Sequence, residues 1–235
     1  MLSNQPERSM KPMKFSPSLM CMDFLNMREQ LEILNERTDI LHVDIMDGHF
    51  CKNITLSPDL VKTFRKVATI PMDCHLMTTN PGDWIEVLAA AGATYISPHA
   101  ETINVNAFRT WNLIEKLGCK TGVVLNPATP LSFVEPYLNR IDLLTLMTVD
   151  VGFAGQPFIE EMLEKIRLAK QWREERGYKY EIQIDGACNP RTYKKLTEAG
   201  ADILVMGSSG LFGMDEDLNK AIDKMHQDYE TSMHA

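Results

Sequence analysis

The sequence predicts an α/β protein built as one closed barrel of eight parallel strands, and three observations support this. Short apolar runs of strand type alternate with longer amphipathic runs of helix type. The alternation gives eight strand–helix units of about 28 residues each. No linker interrupts the 235 residues, a length close to the ~250 typical of (β/α)8 TIM barrels. The alternative is an open doubly wound sheet, which usually has a Gly-rich turn after its first strand. Here "CMDF" (21–24) stands in that place and favours the barrel.

The individual elements follow from the same pattern. Amphipathic stretches at 22–36, 81–92 and 158–176 predict helices. The segment Ala-Gly-Ala occurs twice between a helix and a strand, and Gly92 and Gly200 are expected to end those helices in the left-handed conformation. The eight predicted strands are 14–20, 40–46, 72–77, 94–100, 121–126, 143–149, 180–185 and 202–207.

Composition excludes several classes of protein. The net charge is −8 and the pI about 5.3, with no basic run, so a nucleic-acid partner is not expected. No apolar run approaches the ~20 residues that span a bilayer, so no membrane association is expected. Residues 1–13 are polar and lack the apolar core of a signal peptide. They are interpreted as a flexible N-terminal extension of a barrel domain at 14–230.

The five cysteines predict free thiols. They are scattered along the chain and include no Cys-x-x-Cys pair. An odd, unclustered set of cysteines is typical of a reducing compartment, so a cytoplasmic location is expected.

Polar residues fall on the inward faces of three predicted strands. In a barrel, successive side chains of a strand point alternately to the interior and to the helices. The residues predicted to face the helices are Leu41, Val43, Ile45, Cys74, Leu76, Ile182 and Ile184. Those predicted to face the interior are His42, Asp44, Met46, His75, Met77, Gln183 and Asp185. Buried carboxylates and imidazoles must be paired or bound to metal, and two of each converging on one point predict a divalent-metal site. For any one of them alone, a hydrogen-bonded core residue would be the better interpretation.

Glycine-rich segments follow the last three strands. They are "VDVGFAGQPF" (149–158), "DGACN" (185–189) and "GSSGLF" (207–212), the last leading into a possible short helix. Small residues let backbone N–H groups approach an anion, and barrels often bind phosphate in their last loops. These segments predict a phosphate site, although glycines could equally serve tight turns.

Six motifs in chain order resemble the ribulose-phosphate 3-epimerase family: "SPSLMCMD", "HVDIMDGHF", "DCHLM", "MTVDVGFAGQPF", "EIQIDGACN" and "VMGSSGLF". The resemblance extends from Lys14 to about residue 225. It implies a metal-dependent isomerase that epimerises a ketose phosphate, with a sugar phosphate as its small-molecule partner, and it suggests a homo-oligomer.

The resemblance also assigns roles to residues. It makes Asp44 and Asp185 the acid/base pair, and one divalent ion is implied, whether Zn, Co, Mn or Fe. The implied metal ligands are His42, Asp44, His75 and Asp185. Met46, Met77 and Met147 would line the cavity, although filling the core is the alternative. The implied substrate-binding residues are Ser18, His75, Gly152, Phe153, Ala154, Gly155, Gly186, Ala187, Gly207, Ser208 and Ser209.

The implied chemistry explains these residue types. Inversion at the carbon beside a ketone removes a proton from one face and returns one to the other face. Two carboxylates on opposite walls suit this, and such acid–base help is worth about 10²–10⁴-fold in rate. A cation would stabilise the negative charge of the enediolate formed between the two steps.

The sequence departs from the family pattern at four places, two of which concern loop mobility and two the substrate. Cys51-Lys52 replaces the usual Val-Pro and Val151 a usual proline, so these loops are expected to be more mobile. Ala154, and Leu56-Ser57, differ from the pentose-phosphate branch and favour a hexose, D-allulose 6-phosphate interconverted with D-fructose 6-phosphate.

Three alternatives stay open at this point. The closest is 3-epimerisation of D-ribulose 5-phosphate to D-xylulose 5-phosphate. The others are a non-catalytic sugar-phosphate-binding barrel and an isomerase that works without metal.

Overall fold

The structure is a computed structural model, and it describes residues 12–234. The predicted N-terminal extension, 1–13, therefore lies almost wholly outside the described residues. All eight predicted strands are present within one or a few residues of their predicted bounds. They are β1 Lys14–Pro17, β2 Leu41–Met46, β3 Met72–Met77, β4 Tyr95–Pro98, β5 Lys120–Leu125, β6 Leu143–Met147, β7 Glu181–Asp185 and β8 Ile203–Met206.

The strands form a barrel, as predicted. Every neighbouring pair is parallel, in the order β1-β8-β7-β6-β5-β4-β3-β2. The two ends of this order meet through a parallel bridge between Ser18 and His42. An open doubly wound sheet, the alternative, would leave its edge strands apart.

Helices surround the barrel, with one departure from the predicted repeat. The described helices are α1 Met27–Arg37, α2 Pro58–Phe64, α3 Gly82–Ala91, α4 Ala100–Ile103, α5 Ala107–Lys116, α6 Met162–Arg176, α7 Tyr193–Ala199 and α8 Leu218–His234. The prediction of one helix after every strand was wrong at β5, where two 3₁₀ turns, Leu131–Phe133 and Glu135–Arg140, stand instead. Pro130 and Pro136 explain this, because proline lacks the N–H group of a helix interior.

The two Ala-Gly-Ala segments have the predicted conformation. Gly92 follows α3 with φ +99°, and Gly200 follows α7 with φ +122°. A side chain at either position would be strained and would also meet the Arg65 or the Lys170 side chain.

The barrel interior is layered. At its floor, near the starts of the strands, four apolar side chains form a separate buried cluster: Ile40, Tyr95, Leu143 and Ile203. Above them lie buried polar side chains, which lead up to the carboxyl ends of the strands. Leu41, Val43 and Ile45 belong to the larger core between strands and helices, as predicted. Strand alternation therefore places the polar residues of β2 inside the barrel.

Two further observations concern the chain as a whole. All five cysteines are free thiols, as predicted. Within residues 12–234, no helix combines the length and the apolar character needed to cross a membrane.

Candidate metal centre and active site

Four side chains from three strands converge at the upper end of the barrel. His42 and Asp44 come from β2, His75 from β3 and Asp185 from the end of β7. One donor atom of each lies within 4.8 Å of the other three. Parallel register places Asp44 beside His75 on neighbouring strands, and closure of the barrel brings Asp185 across to them. The structure therefore brings together all four residues predicted as metal ligands.

The spacing of these atoms suits a small cation. His42 Nε2 lies 3.2 Å from His75 Nδ1 and 3.3 Å from Asp44 Oδ1. Asp185 Oδ2 lies 3.6 Å from His42 Nε2 and 3.4 Å from His75 Nδ1. Asp44 Oδ1 lies 3.3 Å from His75 Nδ1. A tetrahedron with bonds of about 2.0–2.1 Å has edges of about 3.3–3.4 Å. The donor set and its dimensions fit one divalent ion such as zinc.

The imidazole of His42 is oriented by a second carboxylate. Its Nδ1 lies 3.1 Å from Asp73 Oδ2, which also accepts a hydrogen bond of 2.8 Å from Gln183 Nε2. Asp73 Oδ1 accepts a 2.5 Å hydrogen bond from Ser97 Oγ. Because Asp73 accepts the Nδ1 hydrogen, the neutral form of His42 has its lone pair on Nε2, the nitrogen that faces the four-residue cluster. A carboxylate–histidine pair of this kind fixes the tautomer and raises the basicity of the ligand.

A different set of groups supports His75. Its Nε2 lies 2.8 Å from His99 Nε2, and His99 Nδ1 lies 3.2 Å from Glu101 Oε2. Burial lowers the pKa of His99 to about 4, so this ring is neutral at physiological pH. Burial raises the pKa of Glu101, but hydrogen bonds from His99 and Thr129 outweigh it and lower that pKa to about 2. His99 and Glu101 thus lie behind His75, on the side away from the four clustered donor atoms.

The four clustered groups are coupled electrostatically. Burial raises the pKa of the Asp44 carboxyl, but the charges and hydrogen bonds of His42 and His75 overcome this and lower it. The pKa of Asp185 is lowered by the same imidazoles against the same effect of burial. Burial lowers the pKa of His42, yet the charge of Asp44 raises it well above the ordinary value. Both carboxylates are therefore ionised at neutral pH and ready to hold a cation.

The two oxygens of Asp44 have different surroundings. Oδ1 faces the two imidazoles, whereas Oδ2 accepts a 2.7 Å hydrogen bond from Ser18 Oγ. Ser18 follows β1 and forms the bridge to His42 that closes the barrel. One oxygen can therefore contact a cation while the other stays available for a proton.

A cavity opens directly above the cluster. Asp44 and Asp185 line its floor, while His42 and His75 are fully buried beneath it. The remaining residues predicted for the site all line this cavity: Ser18, Met46, Met77, Met147, Gly152, Phe153, Ala154, Gly155, Gly186, Ala187, Gly207, Ser208 and Ser209. The site is thus a concave pocket with carboxylates at its base, methionines on its walls and glycine-rich loops at one side.

The glycine-rich loops are closely packed against one another. Gly186 has φ +119°, and a Cβ there would lie 2.7 Å from a methyl carbon of Val149. Ala187 has φ +50°, and no other described non-glycine residue has positive φ. A Cβ on Gly210, in the short turn after β8, would lie 2.2 Å from Cys188 O. Only glycine at positions 186 and 210 lets the loops after β6, β7 and β8 pack this closely against one another.

The departures from the family pattern have separate structural roles. Leu56 is buried in the main core, and Ser57 Oγ caps α2 by accepting a hydrogen bond from Leu60 N. Neither lines the cavity, so this pair gives no argument for a hexose. Ala154 does line it. Cys51 is buried, and Asn53 Nδ2 donates a 2.9 Å hydrogen bond to Gly152 O, which links the loops after β2 and β6.

Asp73 and Asp47 support the site, although neither was predicted from the sequence. Asp73 shares the inward face of β3 with His75, so strand alternation alone could have indicated it. Asp47 fixes the loop after β2, because its carboxylate accepts from the N–H groups of His49, Phe50 and Thr79 at 2.7–2.8 Å. Its only signal was the Asp-Gly pair in "MDGHF", which is typical of a turn.

The chain is similar to known proteins over most of its length. The family model described as the ribulose-phosphate 3 epimerase family matches residues 14–212. Ribulose-phosphate 3-epimerase of Bacillus subtilis is 41% identical over 214 residues, which cover 90% of this chain and 97% of that protein. Ribulose-phosphate 3-epimerase of Escherichia coli is 35% identical over 227 residues, covering 96% and 100% of the two chains. These relatives are isomerases.

A solved structure supports the fold alone. 3-Hexulose-6-phosphate synthase from Salmonella typhimurium superposes with a TM-score of 0.71 at 17% identity, covering 94% of this chain and all of that one. With the match of the family model over most of its length and the relatives above 30% identity, the chain belongs to the ribulose-phosphate 3-epimerase family and is an isomerase acting on a carbohydrate derivative.

Proposed function

We propose that the protein interconverts D-ribulose 5-phosphate and D-xylulose 5-phosphate by epimerisation at C3. The observation that carries the proposal is the pair of ionised carboxylates, Asp44 and Asp185, at the base of one cavity in a member of this family. Both reported relatives are ribulose-phosphate 3-epimerases, which favours the pentose over D-allulose 6-phosphate. Of the two sequence features that favoured the hexose, only Ala154 faces the cavity.

The cluster of His42, Asp44, His75 and Asp185 is the proposed metal site. Its two imidazole nitrogens and two carboxylate oxygens suit Zn, Co, Mn or Fe in the divalent state. When bound, such an ion supplies positive charge that stabilises negative charge developing on a substrate oxygen. The two carboxylates belong both to this site and to the proton transfers, so the site also fixes their positions.

Asp44 and Asp185 are the proposed acid/base pair. They project from β2 and β7, so a sugar lying between them presents one face of its C3 carbon to each. One carboxylate removes the C3 proton and later releases it to solvent. The other first takes up a proton from solvent and then delivers it to the opposite face of C3. Ser18 donates to Asp44 Oδ2, the oxygen directed away from the imidazoles, and so keeps it at a fixed position for this transfer.

The walls of the cavity suit a small phosphorylated sugar. Met46, Met77 and Met147 carry no charge. They therefore do not compete with the groups at the base of the cavity for the negative charge that develops on the substrate. We propose that the loops containing Gly152–Gly155, Gly186–Ala187 and Gly207–Ser209 hold the phosphate, because small residues expose backbone N–H groups to an anion.

A two-substrate assay tests the proposal. Metal-replete protein is assayed for kcat/KM on D-ribulose 5-phosphate and on D-allulose 6-phosphate, and the pentose is expected to be turned over at least about tenfold better. Equal or better turnover of the hexose would restore the hexose interpretation. Activity that survives complete removal of metal would instead favour the metal-free isomerase.

The acid/base roles need a separate test. In D₂O the wild-type protein should incorporate deuterium at C3 of the substrate, whereas Asp185→Asn should lose turnover by about 10²–10⁴-fold. The control is Glu115→Gln. It removes the carboxylate of a residue on α5 that forms an exposed ion pair with Arg140. Unchanged deuterium incorporation by Asp185→Asn at equal metal content would show that this carboxylate moves no proton.

A further inference from the structure

A chain of three side chains runs outward from the cluster through the barrel wall. His75 Nε2 meets His99 Nε2 at 2.8 Å, and His99 Nδ1 meets Glu101 Oε2 at 3.2 Å. Both imidazoles are fully buried, whereas the Glu101 side chain is 24% exposed. The ring of Phe50 lies over His99 with 4.6 Å between ring centroids and limits its rotation. The three groups therefore form a fixed hydrogen-bonded series with a definite inner and outer end.

At the outer end, every partner of Glu101 is a donor. Its Oε1 accepts 3.0 Å from the backbone N–H of Asn126 and also accepts from Thr129 Oγ1. Lys165 Nζ donates to Asn126 O and Pro127 O, which holds this segment in place beside the carboxylate. An ionised carboxylate only accepts hydrogen bonds, so His99 must present a hydrogen on Nδ1.

The hydrogen on His99 Nδ1 determines which nitrogen of His75 carries a hydrogen. A neutral His99 with its hydrogen on Nδ1 has a lone pair on Nε2. The hydrogen in the 2.8 Å contact must then come from His75 Nε2. The neutral imidazole of His75 is left with its lone pair on Nδ1, the atom that faces Asp44 and Asp185.

We propose that His99 and Glu101 are positioning residues that set the tautomer of His75, so that its Nδ1 can bind a cation. This inference rests on the proposed metal site. Neither residue touches the cluster's donor atoms directly except through His75, and neither lines the cavity. The metal affinity of the protein is thus set partly by a carboxylate two hydrogen bonds away from the nearest ligand.

The two histidine ligands differ in whether an amide in place of the supporting carboxylate would reverse the tautomer. At His42, the Asp73 carboxylate also accepts from Ser97, whose hydroxyl can donate or accept. An amide at position 73 could therefore turn its NH₂ group toward Ser97 and still accept from His42. At Glu101 the corresponding partner is the Asn126 backbone N–H, which can only donate. An amide at position 101 has to keep its oxygen there and turn its NH₂ group toward His99.

Replacement of Glu101 by glutamine should consequently reverse the series. With an NH₂ donor facing it, His99 accepts on Nδ1 and carries its hydrogen on Nε2. His75 then accepts on Nε2 and carries its hydrogen on Nδ1, pointing into the cluster. That hydrogen occupies the direction in which a cation would bind. Replacement by alanine only removes the constraint, leaving His99 free to adopt either tautomer.

These two substitutions give opposite rankings for two possible roles. A tautomer-setting role predicts that Glu101→Gln weakens metal binding by about 10–100-fold, the usual effect of losing such support. If Glu101→Ala leaves half of the molecules in the competent tautomer, the apparent Kd rises only about twofold. A merely structural role predicts the reverse, because glutamine fills the space of glutamate and alanine does not.

The experiment is a titration of metal-free protein with Co²⁺, followed by the visible absorption of the bound ion, for wild type, Glu101→Gln, Glu101→Ala and the surface control Glu115→Gln. Far-UV circular dichroism confirms that each variant is folded, and the alanine variant keeps the test decisive if the glutamine variant does not fold. We expect Glu101→Gln to bind Co²⁺ more weakly than Glu101→Ala does, and the control to bind it as tightly as wild type. If the glutamine variant does not fold, an alanine variant that stays within about fivefold of wild type supports the inference.

Three results would overturn the inference. The first is binding of Co²⁺ by Glu101→Gln that is as tight as binding by wild type. The second is a loss of affinity in Glu101→Ala that equals or exceeds the loss in Glu101→Gln. In either case a wild-type protein that binds Co²⁺ leaves the proposed metal site standing. Absence of Co²⁺ binding by the wild-type protein would refute the metal site itself, and the positioning role with it.

Discussion

Substitution of Gly122 by alanine tests how closely the barrel interior is built around the site. Gly122 lies in β5 next to β4, and an added Cβ would sit 2.0 Å from Ser97 Oγ and 3.2 Å from Ser97 Cα. The backbone of Ser97 cannot retreat without disturbing the strand pairing. The Ser97 side chain must therefore move, and with it the hydrogen bond to Asp73, the carboxylate that orients His42.

The magnitude follows from these two effects. Overpacking of a rigid interior costs about 1–3 kcal/mol. Loss of a buried hydrogen bond to a charged group costs about 1.5–3 kcal/mol. The Gly122→Ala variant should thus lose roughly 2.5–6 kcal/mol of unfolding free energy. At about 2–4 °C per kcal/mol for a chain of this size, Tm should fall by about 5–24 °C.

The assay is thermal unfolding of the metal-free protein, so that metal binding does not contribute to Tm. Gly82→Ala is the matched control, because a Cβ at Gly82 meets nothing closer than 3.7 Å, from Asn80 Oδ1. Combining Gly122→Ala with Ser97→Gly should cost little more than Ser97→Gly alone, since the clash is then relieved. Equal Tm values for Gly122→Ala and Gly82→Ala would refute the packing argument.

Three further predictions concern the site. Removal of bound metal by a chelator should lower Tm by about 5–10 °C relative to protein at a metal concentration of 100 Kd, because metal binding stabilises the folded state. In Asp185→Asn, the Tm difference between metal-bound and metal-free protein should be smaller. A Tm difference equal to that of wild type would exclude Asp185 as a ligand. Asp47→Ala should raise KM several-fold with unchanged Co²⁺ affinity, because it releases Phe50 and the rest of the loop after β2 from Thr79; steady-state kinetics that leave KM unchanged would contradict this. The pKa of Glu101, lowered to about 2, gives at most roughly 3 kcal/mol of stability, because the carboxylate is partly exposed and solvent screens its interactions. This stability is complete above the ordinary glutamate pKa of about 4.5 and is lost as pH falls from there toward 2. Denaturation midpoints of metal-free wild type and Glu101→Gln should therefore converge between pH 4.5 and 2, and a constant gap would show that the carboxylate contributes no pH-dependent stability.

The elements of the fold were largely predictable because their signals are local. The period of two in "LHVDIM" belongs to the chain itself, so it assigned Leu41 to the helices and His42 to the interior before any packing was known. Glycine between two alanines predicted the left-handed ends at Gly92 and Gly200 for the same reason. The helix expected after β5 failed because prolines remove backbone donors from that segment, a signal that was present in the sequence but outweighed by the regular repeat.

The preference for a hexose rested on residue differences whose side-chain positions the sequence does not give. Leu56-Ser57 differs from the pentose-phosphate branch, but Leu56 fills the core and Ser57 caps a helix. Ala154 faces the cavity. A difference bears on substrate only where its side chain reaches the ligand, and that depends on how the loops pack.

The sequence by itself determined which residues face inward and which chemical groups they carry, because alternation along a strand is fixed by the backbone. The tertiary structure alone decided which of these groups meet. Gln183 reaches Asp73 across 110 positions of chain, and Ser18 reaches Asp44 only because closure of the barrel joins β1 to β2. It alone also showed that Glu101 is surrounded by donors, one of them a backbone N–H that cannot reverse. Hydrogen-bond direction is a property of a complete set of partners, and only the folded barrel assembles that set.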